Sequence, residues 1–485
     1  MIRVVSVGFD APLAERVELE KLPSVIHETI EAKQAIIVVA RGAWHLWNEL
    51  RQWMDRKGLN WLLVEPLDPL EANLAKVAFE QMLAARMTLA GFQGRSEAPS
   101  VITGEKRVTR RELLREAPAA LTKYVDGVWV ANTSPCSSPA CPLCTSVCPY
   151  DALEGKPPRL DAMRCAGCGL CLSACPYRVL WKNSSSPHAL WDYIRYLPGI
   201  EPGLVVYACR DSIAELLEGL KDHDDKRIIV VPVVCPGDVT LDLLLAPHLL
   251  GLRPVIYCPR AGEECGKESV TEYIRLVLSS YQSIVGEEPL VASTPSEVVE
   301  AQPGERLLEP WESPPSDLMA AARLAAEKLL SKRGVTDYVK INVPLVARHE
   351  LDANRCTLCG ACAAKCPMGA LSLVLEGERE SLVHDPSKCI ACKTCEAVCP
   401  EDALRVVYAA PYSLGRRVLH AEEVVKCRVC GRPVGPKRLV ESVASKLRAS
   451  NAPKALMDTL YLCEECRRRR ALGLLEQDDR SKVES

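Results

Sequence analysis

The sequence predicts a multidomain chain that combines α+β and α/β folds. Three observations support this class: a length of 485 residues, two regions in which strand-like and helix-like runs alternate, and 24 cysteines gathered into regularly spaced groups. The length exceeds that of one ordinary domain, and alternating strands and helices are typical of parallel sheets. We therefore expect two small parallel α/β domains, two cysteine-rich domains and a cysteine-containing tail.

Composition narrows the classes of function and the compartment. The chain has 60 basic and 63 acidic residues, so no global basic field favours nucleic acid or an anionic membrane surface. Nearly all cysteines fall into metal-ligand spacings, which is typical of a reducing compartment. Acidic residues occupy the amino-terminal stretch where a signal peptide needs an apolar core, and charges and prolines interrupt the most apolar stretch, 239–257. We expect a cytoplasmic protein without direct membrane insertion and without nucleic acid as a partner.

Residues 1–95 predict a small α/β domain. The expected elements are strands at 2–7, 35–40 and 61–64 and helices at 43–56 and 69–90. The region has no cysteine and no glycine-rich phosphate loop, so a docking or packing module is favoured over a nucleotide site. We expect Trp44, Trp47 and Trp53 to pack on a helix face. Residues 96–125 are predicted to form a linker with a short helix.

The clearest motif is a doubled cysteine run that ends each time in proline. It reads Cys356-x2-Cys359-x2-Cys362-x3-Cys366-Pro367 and then Cys389-x2-Cys392-x2-Cys395-x3-Cys399-Pro400. Two-residue gaps let the backbone wrap one corner of an inorganic cube, and the proline stops the helical turn after the fourth thiol. Disulfides or zinc are the alternatives for eight thiols, but the doubled spacing and both prolines argue against them.

This doubled run resembles bacterial-type ferredoxins that hold two [4Fe-4S] clusters. The resemblance implies that three thiolates of each run hold one cluster while the fourth crosses to the other. It assigns one cluster to Cys356, Cys359, Cys362 and Cys399, and its neighbour to Cys389, Cys392, Cys395 and Cys366. We expect this dicluster domain to span residues 335–410.

A second pair of runs repeats the motif within residues 126–195. It reads Cys136-x4-Cys141-x2-Cys144-x3-Cys148-Pro149 and then Cys165-x2-Cys168-x2-Cys171-x3-Cys175-Pro176. The same resemblance and crossing rule imply two further clusters. One would be held by Cys165, Cys168, Cys171 and Cys148, and the other by Cys136, Cys141, Cys144 and Cys175.

Residues 200–298, the middle domain, predict a parallel sheet with cysteines at one edge. The expected strands are 203–208, 227–234 and 254–257, and the expected helices are 212–220, 241–249 and 268–280. Cys209, Cys235 and Cys258 follow the three strands, and Cys265 lies in the next loop. Ligands collect beyond the carboxyl ends of parallel strands, so the four thiols are expected to form a metal site, an iron-sulfur cluster being favoured. Four separate thiols, some buried as small apolar residues, are the alternative.

The middle domain also resembles the delta subunit of methyl-viologen-reducing hydrogenase. The resemblance rests on the run from Val205 to Cys209, the run from Val233 to Asp238, and the run from Tyr257 through Cys258 and Arg260 to Cys265. It implies a [2Fe-2S] cluster and the relay of electrons between a hydrogenase or formate dehydrogenase and a heterodisulfide reductase.

Residues 299–334 are predicted to form a linker with a helix at 317–331, and residues 411–485 a zinc-ribbon-like tail. The tail carries two pairs of cysteines, and two residues separate the members of each pair: Cys427 with Cys430, and Cys463 with Cys466. Two such turns supply the four thiolates that tetrahedral zinc prefers. A rubredoxin-like iron or no metal are the alternatives.

The motifs together favour a non-catalytic electron-transfer subunit. The sequence contains no paired fingerprint for flavin or NAD, no hydrolytic nucleophile motif and no pterin signature. A chain of one-electron centres would form a wire between a catalytic oxidoreductase partner and an acceptor, within a hetero-oligomer. The partner classes are a hydrogenase, a formate or other molybdenum- or tungsten-dependent dehydrogenase, and a heterodisulfide-reductase-like complex.

Two other interpretations stay open. The protein could be a thiol/disulfide redox enzyme that uses the middle-domain cysteines, or an iron-sulfur regulator that contacts nucleic acid through the tail. Iron content separates the first of these from the wire, and salt-dependent binding to DNA or RNA is required by the second.

Overall fold

The chain folds into two compact units. The first comprises Met1–Leu345 and Ala409–Tyr412, and the second comprises Val346–Tyr408 and Ser413–Ser485. The computed structural model describes residues 2–8, 10–11, 14–69, 72–73, 86–87, 101–102, 122–123, 129–130, 143–155, 157–161, 164–182, 187–195, 202–223, 227–260 and 268–474. Among these residues, no helix combines the length and the apolar composition needed to cross a bilayer.

Strands and helices alternate through the first unit. Its strands are β1 (Ile2–Val7), β2 (Glu15–Val17), β3 (Ala35–Ala40), β4 (Val64–Leu67), β5 (Ala72–Asn73), β6 (Val101–Ile102), β7 (Thr122–Lys123), β8 (Trp129–Val130), β9 (Leu153–Glu154), β10 (Arg159–Leu160), β11 (Leu180–Trp181), β12 (Gly203–Cys209), β13 (Ile228–Val233), β14 (Leu252–Tyr257), β15 (Leu290–Ala292) and β16 (Val339–Lys340). Its α-helices are α1 (Leu22–Glu31), α2 (Ala43–Lys57), α3 (Leu143–Ser146), α4 (Leu170–Ala174), α5 (Pro187–Arg195), α6 (Ile213–Leu220), α7 (Leu241–Leu245), α8 (Glu268–Val285), α9 (Pro295–Glu300) and α10 (Leu318–Lys332).

The amino-terminal sheet has the strand order β2-β1-β3-β4, and all its pairings are parallel. The predicted strands at 2–7 and 35–40 are confirmed at the same bounds, and helix α2 ends one residue beyond its prediction. The strand predicted at 61–64 is wrong, because Trp61–Leu63 is a 3-10 helix and the strand begins at Val64. β4 contains Pro66, which an edge strand tolerates because its outer amides need no partner. The helix predicted at 69–90 is wrong at its start, because Ala72–Asn73 forms strand β5 by pairing with β13, while residues 86–87 are helical. Most of the rest of that helix, and the short helix predicted within 96–125, lie outside the described residues.

The central sheet has the order β15-β14-β12-β13-β5 and confirms the predicted parallel topology. β12 pairs in parallel with both β13 and β14, and β15 extends the sheet in parallel, while β5 is antiparallel at the far edge. The side chains of β12 and β13 are almost entirely buried, as expected for parallel strands covered on both faces.

One hydrophobic core joins the amino-terminal and central sheets. Trp44 and Trp47 of α2 are buried in the same cluster as Val206 of β12 and Leu216 of α6. The predicted packing role of these tryptophans is confirmed, and Trp53 packs against the same cluster while only partly buried. The amino-terminal strands therefore support the sheet that carries the middle-domain cysteines.

Two buried ion pairs attach the first cysteine-rich region to the central sheet. Arg178 holds both oxygens of Asp242 through Nε and Nη2, at 2.7 and 2.8 Å, and Lys182 Nζ lies 2.8 Å from Asp238 Oδ2. A Cβ on Gly169 would lie 1.7 Å from Asp238 Oδ1, so the contact requires glycine there. Breaking such a pair leaves a buried charge, which fixes one docking geometry.

The second unit is built on antiparallel strands. Its strands are β17 (Val346–Leu351), β18 (Leu371–Glu376), β19 (Arg379–His384), β20 (Leu404–Ala410), β21 (Arg417–Lys426) and β22 (Pro433–Pro436), the last two residues of β20 belonging to the first unit. Its α-helices are α11 (Ala361–Ala364), α12 (Thr394–Ala397), α13 (Lys437–Ala449), α14 (Lys454–Thr459) and α15 (Glu464–Ala471).

A four-stranded sheet connects the cysteine runs of the second unit, at 356–366 and 389–399, to the tail. The hairpin β18-β19 links the two runs, and β21 and β22 extend it in the order β18-β19-β21-β22. The tail therefore begins as part of the same sheet, although the sequence predicts it as a separate segment from residue 411. The strand directly before the run that begins at Cys356 is β17.

Replacing Arg178 with methionine should strongly destabilise the first unit. The variant leaves the Asp242 carboxylate buried without its partner, which costs about 3–5 kcal/mol in comparable sites. Anaerobic urea unfolding, followed by circular dichroism and by visible cluster absorbance, would measure the shift in midpoint. Arg16→Met is the control, because the Arg16–Asp10 pair is exposed to solvent and pairs of that kind contribute little. Equal midpoints for the two variants would contradict the role of the buried pair.

Candidate iron-sulfur and metal sites

Two cavities in the second unit are each lined by four cysteines. The first, here the Cys356 cavity, is lined by Cys356, Cys359, Cys362 and Cys399. The second, the Cys389 cavity, is lined by Cys366, Cys389, Cys392 and Cys395. The structure thus brings together three thiols of one run with the fourth of the other, in the two sets that the crossing rule groups.

Apolar side chains surround both cavities. Leu358, Leu371 and Leu382 are buried in one core with cysteines of both sets. Neutral walls and convergent thiols suit an iron-sulfur cluster, whose positive irons offset the thiolates. The donor set and the surroundings therefore fit the group that the sequence implies.

Each fourth cysteine is followed by the same tight turn. The amide three residues on donates to the cysteine carbonyl, at 3.3 Å for Asp151 to Cys148, 3.3 Å for Arg178 to Cys175, 3.2 Å for Gly369 to Cys366 and 3.3 Å for Asp402 to Cys399. All four donor residues have positive φ angles, between 43° and 60°. Aspartate and glycine tolerate this conformation, which explains three of the four positions.

At the fourth position, the side chain of Arg178 stabilises the turn that follows Cys175. Its Nη1 donates to the carbonyl oxygens of Leu172, Ser173 and Cys175 at 2.8–3.0 Å, while the rest of the guanidinium binds Asp242. The pattern of Asp or Gly two residues after Cys-Pro is a sequence signal for this turn. Sequence reasoning missed the signal, and Arg178 departs from it.

The turn places a backbone amide within hydrogen-bonding distance of the cysteine sulfur. The amide of the residue four positions after the cysteine donates to Sγ, at 3.3 Å for Ala152 to Cys148, 3.2 Å for Ala370 to Cys366 and 3.3 Å for Ala403 to Cys399. Such N–H groups stabilise negative charge on sulfur, and this is one means by which a protein sets the potential of a cluster.

Burial raises the pKa of several of these thiols. Desolvation, followed by the charges of neighbouring cysteines, raises the pKa of Cys362 to about 11 and raises that of Cys395 still further. Burial likewise raises the pKa of Cys168 and Cys171. Thiols of this kind stay protonated at neutral pH unless a bound cation compensates their charge, so these sites favour metal-bound thiolates over free ones.

The first unit contains a third four-cysteine cavity. It is lined by Cys148, Cys165, Cys168 and Cys171, and we name it the Cys165 cavity. Of the remaining predicted set, Cys144 and Cys175 share a small core with Cys171. Cys136 and Cys141 lie outside the described residues, so the ligand set of that cluster stays a prediction.

Three middle-domain cysteines follow three adjacent parallel strands. Cys209 ends β12, Cys258 directly follows β14, and Cys235 comes two residues after β13. Since the strands are parallel neighbours, the three cysteines lie at the same edge of the sheet, as the sequence predicts. Cys235 is buried in a small cluster with Cys168 of the Cys165 cavity. Cys265 lies outside the described residues.

The tail brings its four cysteines within range of one ion. The sulfurs of Cys427, Cys430, Cys463 and Cys466 all lie within 4.8 Å of one another. Cys430 Sγ is 3.5 Å from Cys463 Sγ and 3.6 Å from Cys466 Sγ, close to the edge of about 3.8 Å expected for a tetrahedron of Zn–S bonds. This spacing fits a single ion and is too tight for a four-iron cube.

The backbone favours ionisation of one tail thiol, Cys427, whereas burial and then the neighbouring sulfurs raise the pKa of Cys466 to about 12. Burial opposes the ionisation of Cys427, but amides of Cys463, Cys430 and Val429 outweigh it and lower the pKa of Cys427 to about 6. A hydrogen bond from Arg428 N to Tyr461 O, at 3.1 Å, joins the two cysteine turns. Both features suit a thiolate-bound metal ion.

Two histidines near the Cys389 cavity, the half-buried His349 and the buried His384, belong to no sequence motif. Burial and then the neighbouring His384 lower the pKa of His349 to about 3, and burial lowers that of His384 to about 4. Both rings are therefore neutral at physiological pH. No local sequence pattern marks them, because they approach the cysteines only through the packing of β17 and β19.

Comparison with protein-family models identifies both cysteine-rich regions. A model described as a 4Fe-4S dicluster domain matches residues 355–403, and one described as a 4Fe-4S binding domain matches residues 158–181. No curated protein matches the sequence. The chain therefore carries two 4Fe-4S ferredoxin-type domains, which confirms the prediction of iron-sulfur binding and supports an electron-transfer role.

Replacing Cys399 with serine should damage the cluster of the Cys356 cavity. If the fourth ligand crosses, the variant makes Cys356, Cys359 and Cys362 reactive toward iodoacetamide in the anaerobic native protein, while the Cys389 run stays protected. Peptide mass spectrometry would report which thiols are alkylated. Cys366→Ser is the matched control and should give the opposite pattern. Alkylation confined to the Cys389 run in the Cys399→Ser variant would disprove the crossed assignment.

Replacing Cys466 with alanine should remove one zinc ion per chain and leave the iron content unchanged. Loss of one of four thiolates opens the tetrahedral site. Elemental analysis of the purified proteins measures both metals. Arg469→Ala, an exposed position on the same helix, is the control and should keep the zinc. Iron in place of zinc in the unaltered tail would indicate a rubredoxin-like centre instead.

Proposed function

We propose that this protein is an electron-transfer subunit that relays electrons through four [4Fe-4S] clusters between a catalytic oxidoreductase partner and an acceptor. The observation that carries the proposal is the convergence of four cysteines on each of three cavities. In each cavity, three thiols come from one run and the fourth comes from the run paired with it. When bound, the clusters supply reversible one-electron chemistry. The residues of the chain hold them, exclude water and donate hydrogen bonds to their sulfurs.

Contact between neighbouring sites supports a wire in the second unit. Cysteines of the Cys356 and Cys389 cavities lie in one apolar core. The charge of Cys362, in one set, contributes to the raised pKa of Cys395, in the other. An electron on one cluster would therefore have a short path to the next.

The middle domain extends the proposed path in the first unit. Cys235 packs against Cys168 of the Cys165 cavity, and the ion pairs of Arg178 and Lys182 hold the two segments together. We propose that Cys209, Cys235, Cys258 and Cys265 hold a fifth centre, a [2Fe-2S] cluster. This centre would receive electrons from, or pass them to, the Cys165 cavity.

The proposed partner is a catalytic subunit that carries out a two-electron reaction and exchanges the electrons with the clusters one at a time. A hydrogenase, a formate or molybdopterin dehydrogenase, or a heterodisulfide-reductase-like enzyme fits this requirement. The resemblance of the middle domain to a hydrogenase delta subunit favours the same group. The zinc tail is proposed to be structural, since all four of its positions are occupied by thiolates and none is left for a substrate.

Iron analysis tests the wire against a thiol/disulfide enzyme. Four cubanes and a two-iron centre require about 18 iron atoms per chain, whereas four cubanes with reactive middle-domain thiols require about 16. We expect the larger number, with acid-labile sulfide to match and paramagnetic signals after dithionite reduction. Cys235→Ser is the control and should lower the count by about two iron atoms. A chain that shows no paramagnetic signal after anaerobic purification and reduction would rule out the proposal.

A further inference from the structure

A pair of imidazoles in contact, the half-buried His349 and the buried His384, lies beside the Cys389 cavity. His349 of β17 lines this cavity, and its Nε2 is 3.6 Å from Cys395 Sγ. The ring of His384, which ends β19, meets the His349 ring edge to face with centroids 4.4 Å apart. The other nitrogens, His349 Nδ1 and His384 Nε2, have no hydrogen-bond partner among the described residues.

The contact fixes which nitrogen of His349 carries hydrogen. A cluster-bound Cys395 thiolate can only accept a hydrogen bond, so the nitrogen that faces it must present an N–H. A lone pair at Nε2 would face the lone pairs of sulfur, whereas an N–H at Nε2 forms an N–H···S hydrogen bond. The orphaned Nδ1 is then an acceptor, and leaving an acceptor unpaired is the less unusual arrangement in protein interiors. The His384 ring packed at its side holds the plane of His349.

Side-chain donors are unequally divided between the two cavities of the second unit. Around the Cys356 cavity, the described residues donate to sulfur through backbone amides alone, as Leu358, Ala363 and Ala403 do. The Cys389 cavity has the His349 ring as well. The Cys392 thiol donates to the Thr394 hydroxyl at 3.3 Å, and with a cluster-bound thiolate in its place the hydroxyl would donate to sulfur. Each additional donor stabilises the extra negative charge that reduction places on a cluster.

We propose that His349, acting through Cys395, makes the cluster of the Cys389 cavity easier to reduce than its neighbour in the Cys356 cavity. The inference rests on the proposed function and adds a direction to it, because an electron entering the second unit settles in the Cys389 cavity. The step is the transfer of one electron from the reduced partner. No bond forms or breaks, and the hydrogen stays on Nε2.

A matched pair of variants tests the hydrogen bond in the full chain. His349→Gln keeps an amide N–H near the position of Nε2, whereas His349→Met has a similar length and no donor. Anaerobic redox titration followed by electron paramagnetic resonance would resolve the midpoint potentials. In His349→Met, one cluster should become about tenfold harder to reduce, as expected for one hydrogen bond to a charged acceptor, which is about 59 mV for a one-electron couple. His349→Gln should stay close to the unaltered protein.

A second measurement needs no variant to fold. In protein labelled with ¹⁵N in the histidine rings only, pulsed paramagnetic resonance of the reduced sample should show coupling of one ring nitrogen to a cluster. Absence of that coupling, unchanged potentials in His349→Met, or equal shifts in both variants would overturn the role of His349. In all three cases the cluster signals remain, which distinguishes this failure from failure of the proposed function, where the signals are missing.

Discussion

The structure depends on one constraint: four thiols from two separate stretches of chain must meet inside an apolar cavity and remain ionised there. Burial works against ionisation, as the raised pKa of Cys362 and Cys395 shows. A polynuclear cation satisfies the constraint, and the folded chain around it supplies amide hydrogen bonds. The short helices, the Cys-Pro turns and the left-handed residues three positions beyond each fourth cysteine all serve this arrangement. The repetition of one turn in four runs indicates that it is a requirement of the site and not of the surrounding fold.

The two ferredoxin-type domains place their sites in different surroundings. In the first unit, a buried ammonium group stands next to the cysteine loop, since Lys182 donates to Gly167 O at 2.8 Å while Gly167 N donates to Cys165 Sγ at 3.4 Å. In the second unit, a neutral imidazole contacts Cys395 directly. Charge and hydrogen bonding both alter the potential of a cluster, so identical ligand sets need not give identical centres. Such differences would give electrons a preferred position along the relay.

The buried ion pairs at Asp238 and Asp242 illustrate how the first site is attached to the central sheet. Desolvating two charges is costly, and apolar residues of the same size often hold a contact equally well. However, any other docking arrangement that separates the two charges would leave each of them buried without a partner. Gly169 adds a steric condition, since any side chain there would collide with Asp238. The contact between Cys168 and Cys235 follows from this attachment, and so does the proposed continuity between the cysteine cavity and the middle domain.

The sequence alone determined the features that depend on local spacing. The cysteine runs, the strands of the central sheet and the strands at 2–7 and 35–40 are encoded by patterns a few residues long, and their positions agree with the structure. Local patterns could not predict the three-residue strand β15 or the pairing of β21 with the hairpin β18-β19. Both depend on pairing partners that are distant in sequence. The neighbours of the sulfurs were likewise decided by tertiary packing alone: His349 and Lys182 carry no motif, and each reaches its site because strands and loops far apart in the chain fold against one another.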